Sequence, residues 1–315
     1  LLHLLHLPVQ ALHWRKHLPL PPYSVHWYLL LAFILIVWAL WRLYRPVPRW
    51  HWSALLWLPL AALLAVGAMR GGWSTSVRPI TVSNAGQWVR QPSHSALVLN
   101  TPFSIMRTMG KAAYRDPAYF SDEELATLFS PIHTAVGDTV RRRNVVVFIL
   151  ESFGREYVEQ GYAPFIDSLA RCSRSYELAF ANGRKSIDAI PSVVSSIPMF
   201  VEPFVLTPYS MNKISSLAGE LSPQGYQSVF YHGAPGGSMG FKSYALSTGY
   251  AAYHGMEDYV QWAGSDDQWD GTWAIWDEPF LQYMAHSLTQ MQQPFVATVF
   301  TASSHHPFRV PSCYD

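Results

Sequence analysis

Charged residues and cysteines are scarce in this sequence. Only 14% of its 315 residues are charged, and the formal net charge is +1. A nearly neutral chain lacks the broad positive surface that nucleic-acid binding requires, so no nucleic-acid partner is expected. The two cysteines, Cys172 and Cys313, are too few for the disulfide framework of a small secreted domain. Two classes of protein are thus excluded.

Apolar residues, in contrast, are abundant, at 50% of the chain. Residues 27–44 carry a single charge, Arg42, and residues 52–69 carry none. Each run approaches the roughly 20 residues needed to cross a bilayer, and aromatic residues flank both runs, as at membrane interfaces. We therefore predict a membrane region over residues 1–69 with two transmembrane helices near these runs. The alternative is a pair of buried core helices.

The loop between these runs is basic and suggests an orientation. It contains Arg42, Arg45 and Arg49, and the positive-inside rule places such a short loop in the cytoplasm. This predicts a multi-pass protein of the cytoplasmic (inner) membrane with an extracytoplasmic domain. Residues 70–143 are polar and turn-rich and are predicted to form a connector. Because both ends of the sequence look cut, we expect a fragment of a longer protein.

From residue 144 the pattern changes to alternating strands and helices. Apolar runs typical of buried parallel strands alternate with segments of helical periodicity. The predicted strands cover residues 144–151, 175–180, 226–233 and 294–303. The predicted helices cover residues 163–173, 186–197, 215–225 and 277–292. This alternation predicts an α/β domain over residues 144–315, with helices on both faces of the sheet.

Polar side chains follow the predicted strands, where ligands bind in open α/β sheets. Glu151 ends the first strand, Ser186 follows the second, His232 ends the third and His305 follows the fourth. These types suit a divalent metal and an anionic substrate. Each also has an ordinary structural explanation: Glu151 as a solvated or capping residue, Ser186 as a helix cap, and either histidine in turns or packing. Their convergence from separate strands favours a site.

Five segments, taken in order, resemble one known family. They are NVVVFILESFG, GYAPFIDSLA, ANGRKSIDAIPSVVSSIP, FYHGAPGGSMGF and TASSHHPF. Together they resemble the lipoteichoic acid synthase family, within the sulfatase and alkaline phosphatase superfamily. The resemblance covers roughly residues 78–311 and implies a sulfatase-like sheet preceded by membrane helices.

The resemblance also implies roles for individual residues. Ser186 would be the nucleophile and would bind a divalent metal (Mn, Mg or Zn) together with Glu151. His232 and His305 would contact the phosphate or head group of the substrate. The implied activity is a membrane-anchored phosphotransferase or phosphodiester hydrolase that acts on a membrane lipid or glycolipid through a covalent serine intermediate.

Two cations next to Ser186 fit this activity. Arg184 and Lys185 add positive charge near an incoming phosphate, and the N-terminus of a helix starting at Ser186 attracts anions. Asp188 is either a residue that supports the metal site or a favourable acid in the first helical turn, and we favour the helical role.

The sequence departs from the family pattern in two places. The family completes its metal site with an Asp-His pair further along, and no such segment follows in these 315 residues. We therefore expect the chain to be inactive by itself. Met239 and Phe241 stand where lipoteichoic acid synthases have Trp and Arg, so the substrate is expected to differ.

Two alternatives to the phosphotransferase stay open. One is a sulfuric ester hydrolase, although the Cys/Ser-x-Pro-x-Arg pattern of sulfatases proper is missing at Ser186. The other is a catalytically dead, membrane-anchored binding domain. A tryptophan- and acid-rich stretch, residues 266–280, is either a further site or, as we favour, a turn that leads into a helix near Asp277.

Overall fold

The computed structural model describes residues 27–44, 53–70, 85, 88–89, 94–109, 118–130, 142–200 and 202–314. The chain divides into two compact units. One comprises Leu1–Trp73 and Ser121–Thr139, and the other comprises Ser74–Phe120 and Val140–Asp315. The predicted connector, residues 70–143, lies partly outside the described residues, so its boundaries stay a prediction.

The first unit contains two apolar helices where membrane spans were predicted. Helix α1 is Trp27–Leu43 and helix α2 is Ser53–Arg70, with Pro59 inside it. At 1.5 Å per residue both are shorter than the roughly 30 Å of a hydrocarbon core. Within the described residues, no helix combines the length and apolar character needed to cross a membrane. The predicted transmembrane helices are therefore not supported.

Short helices with local caps account for the described parts of residues 94–130. Helix α3 is Ser95–Val98, α4 is Thr101–Thr108 and α5, in the first unit, is Asp122–Leu128. Asn100 caps α4 by accepting the Phe103 N–H. Ser121 and Glu124 form a capping box at the start of α5. Capping explains why these short segments are helical.

The second unit contains a four-stranded sheet within its described residues. The strands are β1 (Val145–Ile149), β2 (Gln227–His232), β3 (Ala252–His254) and β4 (Phe295–Phe300). The helices of this part are α6 (Arg155–Glu159), α7 (Pro164–Arg171), α8 (Ser186–Ser195), α9 (Leu217–Leu221), α10 (Phe241–Ser247), α11 (Met256–Ala263) and α12 (Asp277–Thr289).

The strands are all parallel, in the order β1-β4-β2-β3. The central strand β4 is buried along its whole length, which confirms the prediction from its continuous apolar run. Strand β1 is an edge strand of the described sheet, and its side chains alternate between the core and solvent. Because the strands are parallel, their carboxyl ends meet at one edge.

Helices pack on both faces of the sheet, as predicted. One core contains Phe230 of β2 and Val296 of β4, covered by buried side chains of α8, α9 and α10. The opposite core contains Tyr231 and Val299, covered by α11 and α12. Neighbouring residues of one strand point to opposite faces, so both sides of the sheet bury apolar area. The α/β fold with a parallel sheet is therefore confirmed.

One predicted strand is wrong. Residues 175–180 form no strand, and Tyr176, Leu178 and Phe180 are exposed. Among the described residues, no strand lies beside this segment to pair with it, although its apolar residues alternate as in a strand. The sequence prediction also missed β3, which has only three residues.

Candidate active site

Glu151 and Ser186 are brought together although they lie 35 residues apart in the sequence. The Ser186 hydroxyl donates a hydrogen bond of 3.0 Å to Glu151 Oε1. The Ser152 hydroxyl donates to the same oxygen at 2.8 Å. Glu151 is buried, whereas Ser186 is half-buried. The structure thus joins the predicted nucleophile to the predicted metal ligand.

The backbone after β1 is held in place by the segment after β4. The Glu151 N–H donates to Thr301 Oγ1 at 2.8 Å, and the Thr301 N–H donates to the Ile149 carbonyl at 3.1 Å. Ser152 then has a φ of +48°, in the left-handed region that non-glycine residues rarely occupy. This turn redirects the chain and leaves both the Glu151 carboxylate and the Ser152 hydroxyl at the edge of the sheet.

Ser186 is the first residue of α8, so its hydroxyl lies at the N-terminus of this helix. Asp188 supports the first turn of this helix: it is buried, and its Oδ2 accepts the Lys185 N–H at 3.3 Å. Asp188 therefore has the helical role that we favoured. Its Oδ1 is buried without a hydrogen-bond partner among the described residues.

Gly183 fits closely over Asp188. Its φ is +89°, and a Cβ atom at this position would lie 2.5 Å from Asp188 Oδ2. Both the backbone conformation and the space therefore demand glycine. The exposed Arg184 and Lys185 follow directly, and neither forms an ion pair with a carboxylate of the described residues. Both cations thus remain available to an anion at the start of α8.

His232 is fully buried, which the sequence did not indicate. Its Nδ1 lies 3.0 Å from the Phe300 carbonyl oxygen. Since a carbonyl only accepts, Nδ1 carries the proton and Nε2 holds a lone pair. Nε2 is buried and has no partner among the described residues. Burial lowers the pKa of His232 to about 4, so the ring is neutral near pH 7.

His232 and His305 are linked by an aromatic residue that the sequence analysis missed. The centroid of the Trp273 ring lies 5.1 Å from that of His232 and 4.6 Å from that of His305. Trp273 Nε1 donates to Ser238 Oγ at 2.8 Å, which fixes the indole between the two histidines. His232 therefore does not face solvent here, whereas His305 is half-buried. Substrate contact by either histidine stays a prediction.

The stretch 266–280 delivers Trp273 to this position. Asp270 Oδ1 accepts the N–H groups of Thr272, Trp273 and Ala274, at 2.7, 2.6 and 3.2 Å. The stretch is therefore a side-chain-stabilised turn that leads into α12, as we favoured. Its abundance of tryptophan and acid was the only sequence signal for Trp273.

Asp277 fixes the loop after β4. Its two carboxylate oxygens accept the N–H groups of Ala302 and Ser303 at 2.7 and 2.8 Å, and its own N–H donates to Ser303 Oγ at 2.7 Å. Burial raises the pKa of Asp277, and the nearby negative charge of Glu151 raises it further, against the lowering effect of these hydrogen bonds. Asp277 is thus a carboxylate close to Glu151 whose oxygens are already engaged by the backbone.

The oxygen atoms at Glu151 and Ser186 fit part of a divalent metal site. Two neighbouring ligands of an octahedral ion at about 2.1 Å lie about 3.0 Å apart, which matches the separation of Glu151 Oε1 and Ser186 Oγ. Oxygen donors suit magnesium or manganese. Among the described residues, no group of three His, Cys, Asp or Glu side chains converges on one point. Metal binding by Glu151 and Ser186 stays a prediction.

Comparison with known families identifies the second part of the chain. A family model described as Sulfatase matches residues 143–315, more than half of the chain. The chain belongs to the sulfatase family. This match begins one residue before the α/β domain predicted from the sequence, and it confirms the family prediction at the level of the sulfatase and alkaline phosphatase superfamily.

Two solved structures are similar to part of this chain. One is a protein of the alkaline phosphatase superfamily from Vibrio parahaemolyticus, with 23% identity and a TM-score of 0.50, covering 56% of this chain and 44% of that one. Another is the lipoteichoic acid synthase LtaP from Listeria monocytogenes, with 21% identity and a TM-score of 0.48, covering 54% and 43%. This sulfatase-family chain thus spans less than half of either structure.

Proposed function

We propose that this sulfatase-family protein transfers or hydrolyses a phosphate ester through a covalent intermediate on Ser186. The observation that carries the proposal is the 3.0 Å hydrogen bond from the Ser186 hydroxyl to the buried Glu151 carboxylate, at the first residue of α8. A hydroxyl that donates to a carboxylate directs its lone pairs elsewhere, toward an incoming electrophile.

In the first step Ser186 Oγ forms a bond to phosphorus as the bond from phosphorus to the leaving oxygen breaks. The Ser186 proton passes to water, and the leaving oxygen takes a proton from water. In the second step water or an acceptor hydroxyl attacks the same phosphorus and releases Ser186. Arg184, Lys185 and the N-terminus of α8 favour the negative charge of the phosphoryl oxygens throughout. A divalent ion held by Glu151 and Ser186 would lower the pKa of the hydroxyl.

The substrate that we propose is a membrane lipid or glycolipid head group. The motif resemblance supports this, and so do the exposed apolar side chains of α1 and α2, such as Trp41 and Leu56, which suit contact with lipid. On this proposal the enzyme works at an extracytoplasmic membrane surface. A phospholipid in vesicles would then react faster than the corresponding water-soluble diester, and equal rates would contradict the lipid proposal.

The reaction itself is tested on the full-length protein with manganese and bis(4-nitrophenyl) phosphate. Ser186→Ala is expected to lower turnover by about 10³-fold or more, whereas Ser173→Ala, at an exposed serine on another loop, leaves it unchanged. Mass spectrometry of the wild-type protein should find a 4-nitrophenyl phosphoryl group on Ser186. Wild-type turnover by Ser186→Ala would overturn the proposal.

A second readout separates metal binding from catalysis. Manganese affinity, measured by titration, should fall by at least about tenfold in Glu151→Gln. Turnover of 4-nitrophenyl sulfate but not of phosphate esters would identify a sulfuric ester hydrolase instead. Binding of phosphate esters with no turnover of either ester would identify a binding domain.

A further inference from the structure

An aromatic pocket opens beside the candidate active site. It has a volume of about 320 Å³, within the range of small-ligand sites. Its apolar lining includes the rings of Phe153, Tyr157, Tyr162 and Phe308, and its charged residue is Arg309. These residues define what we call the aromatic pocket. None of them has a role in the reaction proposed above.

The aromatic pocket is adjacent to the site of the reaction through Ser152. Ser152 lines it, and the Ser152 hydroxyl donates to Glu151 Oε1, the oxygen that also accepts from Ser186. Ser303 lines it as well, and this residue is held by Asp277. A group bound to phosphorus at Ser186 would therefore lie next to the pocket, on the side of Ser152.

The lining has a definite chemical preference. The centroids of Phe153 and Tyr157 lie 5.9 Å apart and tilted by 31°, and the rings of Tyr162 and Phe308 are largely exposed. Exposed rings next to a reactive centre favour an organic group with an apolar face. Such a group would gain contact area in the pocket that a bare phosphate lacks.

Arg309 adds an electrostatic requirement. It is exposed, and its side chain donates only a long hydrogen bond, 3.5 Å, to the Asp270 carbonyl oxygen. No carboxylate of the described part of the chain forms an ion pair with it. A guanidinium held at the rim of an apolar pocket is suited to an anionic group at the far end of a ligand.

We propose that the aromatic pocket binds the organic part of the substrate, and that this part combines an apolar ring or chain with a second negative charge. The proposal rests on the proposed reaction at Ser186, because it assigns the pocket to the same ester. A carboxylate or another phosphate supplies the second charge, since a guanidinium binds both through the same pair of N–H donors.

Binding is measured by isothermal titration on the full-length Ser186→Ala protein, which retains the pocket but cannot form the covalent intermediate. The ligands are methyl phosphate, phenyl phosphate and 4-(3-carboxypropyl)phenyl phosphate. A bisphosphate, with phosphate in place of the carboxylate, distinguishes the two sources of the second charge. Phenyl phosphate is expected to bind about fivefold more tightly than methyl phosphate because of ring contact. The carboxylated ester should bind more tightly still.

Two variants in that protein assign these preferences to the pocket. Tyr162→Ala should reduce the preference for phenyl over methyl phosphate by about threefold, and Arg309→Met should make phenyl phosphate and its carboxylated form bind equally. Tyr176→Ala and Arg174→Met are matched controls, because both residues are exposed and lie outside the pocket. The controls should retain both preferences.

Equal affinity for methyl and phenyl phosphate, or no binding of either, would overturn the pocket proposal. So would preferences that survive both pocket variants. Failure of the reaction proposal has a different signature: no phosphoryl adduct on Ser186 and no turnover in the wild-type protein, with the binding preferences intact in Ser186→Ala.

Discussion

The indole of Trp273 packs against the ring of His305, with centroids 4.6 Å apart and the ring planes tilted by 51°. This contact joins a turn in the middle of the α/β domain to the loop that follows its last strand. The indole also contacts the buried His232. Trp273 therefore connects the buried core to the half-buried His305 and restricts the position of His305.

Trp273→Ala should therefore destabilise the domain and loosen His305. The loss of a half-buried indole and its hydrogen bond to Ser238 is expected to lower the free energy of unfolding by about 3 kcal/mol. Urea denaturation measures this change. Trp269→Ala, at a more exposed tryptophan of the same stretch, is the control and should cost clearly less. Equal losses of unfolding free energy in the two variants would show that the contact between Trp273 and His305 contributes nothing specific.

The stability of the domain should fall in mild acid because of His232. Its pKa is lowered from 6.5 to about 4, so between these values the unfolded chain binds a proton that the folded protein does not. The stabilisation is complete above pH 6.5 and is lost progressively as the pH falls toward 4, by about 3 kcal/mol in all.

Comparison of unfolding free energies at pH 7.5 and pH 4.5 measures this dependence. His232→Gln should be less stable at pH 7.5 but should depend less on pH than the wild-type protein does. His286→Gln, at an exposed histidine of α12, should keep the wild-type dependence. An unchanged dependence in His232→Gln would contradict the assignment.

Gly183 offers a test of how closely the nucleophile loop fits. Gly183→Ala combines a positive φ with a Cβ only 2.5 Å from Asp188 Oδ2. Gly161→Ala is the matched control, since Gly161 has a φ of +80° but no atom within 4 Å of the added Cβ.

The control should lose about 1 kcal/mol, the cost of the backbone conformation. Gly183→Ala should lose about 1–3 kcal/mol more, because overpacking is added, and its turnover should fall as Ser186 is displaced. Thermal unfolding of both variants measures the difference. Equal stability of the two variants would mean that the loop at Gly183 accommodates the added Cβ without a loss of stability.

Asp277→Asn tests the hydrogen bonds by which Asp277 holds the loop after β4. An amide NH₂ replaces one of two oxygens that accept backbone N–H groups, so one hydrogen bond becomes a contact between donors. We expect a loss of about 1–3 kcal/mol in the free energy of unfolding. Hydrogen exchange at Ala302 and Ser303 should accelerate. Asp267→Asn, at an exposed position, should leave both unchanged.

The sheet was predictable from its long apolar runs. The site at the sheet edge was predictable from the polar residues that end or follow these runs. β1, β2 and β4 lie where the sequence predicted them, and the positions of Glu151 and Ser186 at strand and helix ends predicted their meeting. Residues 175–180 show the limit of the pattern: apolar alternation marks a strand only when a neighbour is available for pairing.

Other features depend on packing that no local pattern records. The burial of His232 follows from Phe241, Trp273 and Phe300, three rings contributed by separate segments. The aromatic pocket likewise combines Tyr157 and Phe308, which are far apart in the sequence. The two apolar runs near the start did become helices, but their helical length could not be read from composition.

The order of the strands has a consequence for synthesis. In the described sheet β1 pairs only with β4, in a register that joins Val145 to Val296. A ribosome therefore releases β1 long before its partner exists, and the loop that this pairing closes spans almost the whole α/β domain. Glu151 reaches its final position only when Thr301 arrives. The edge of the sheet that carries Glu151 therefore cannot assemble before β4 has been synthesised.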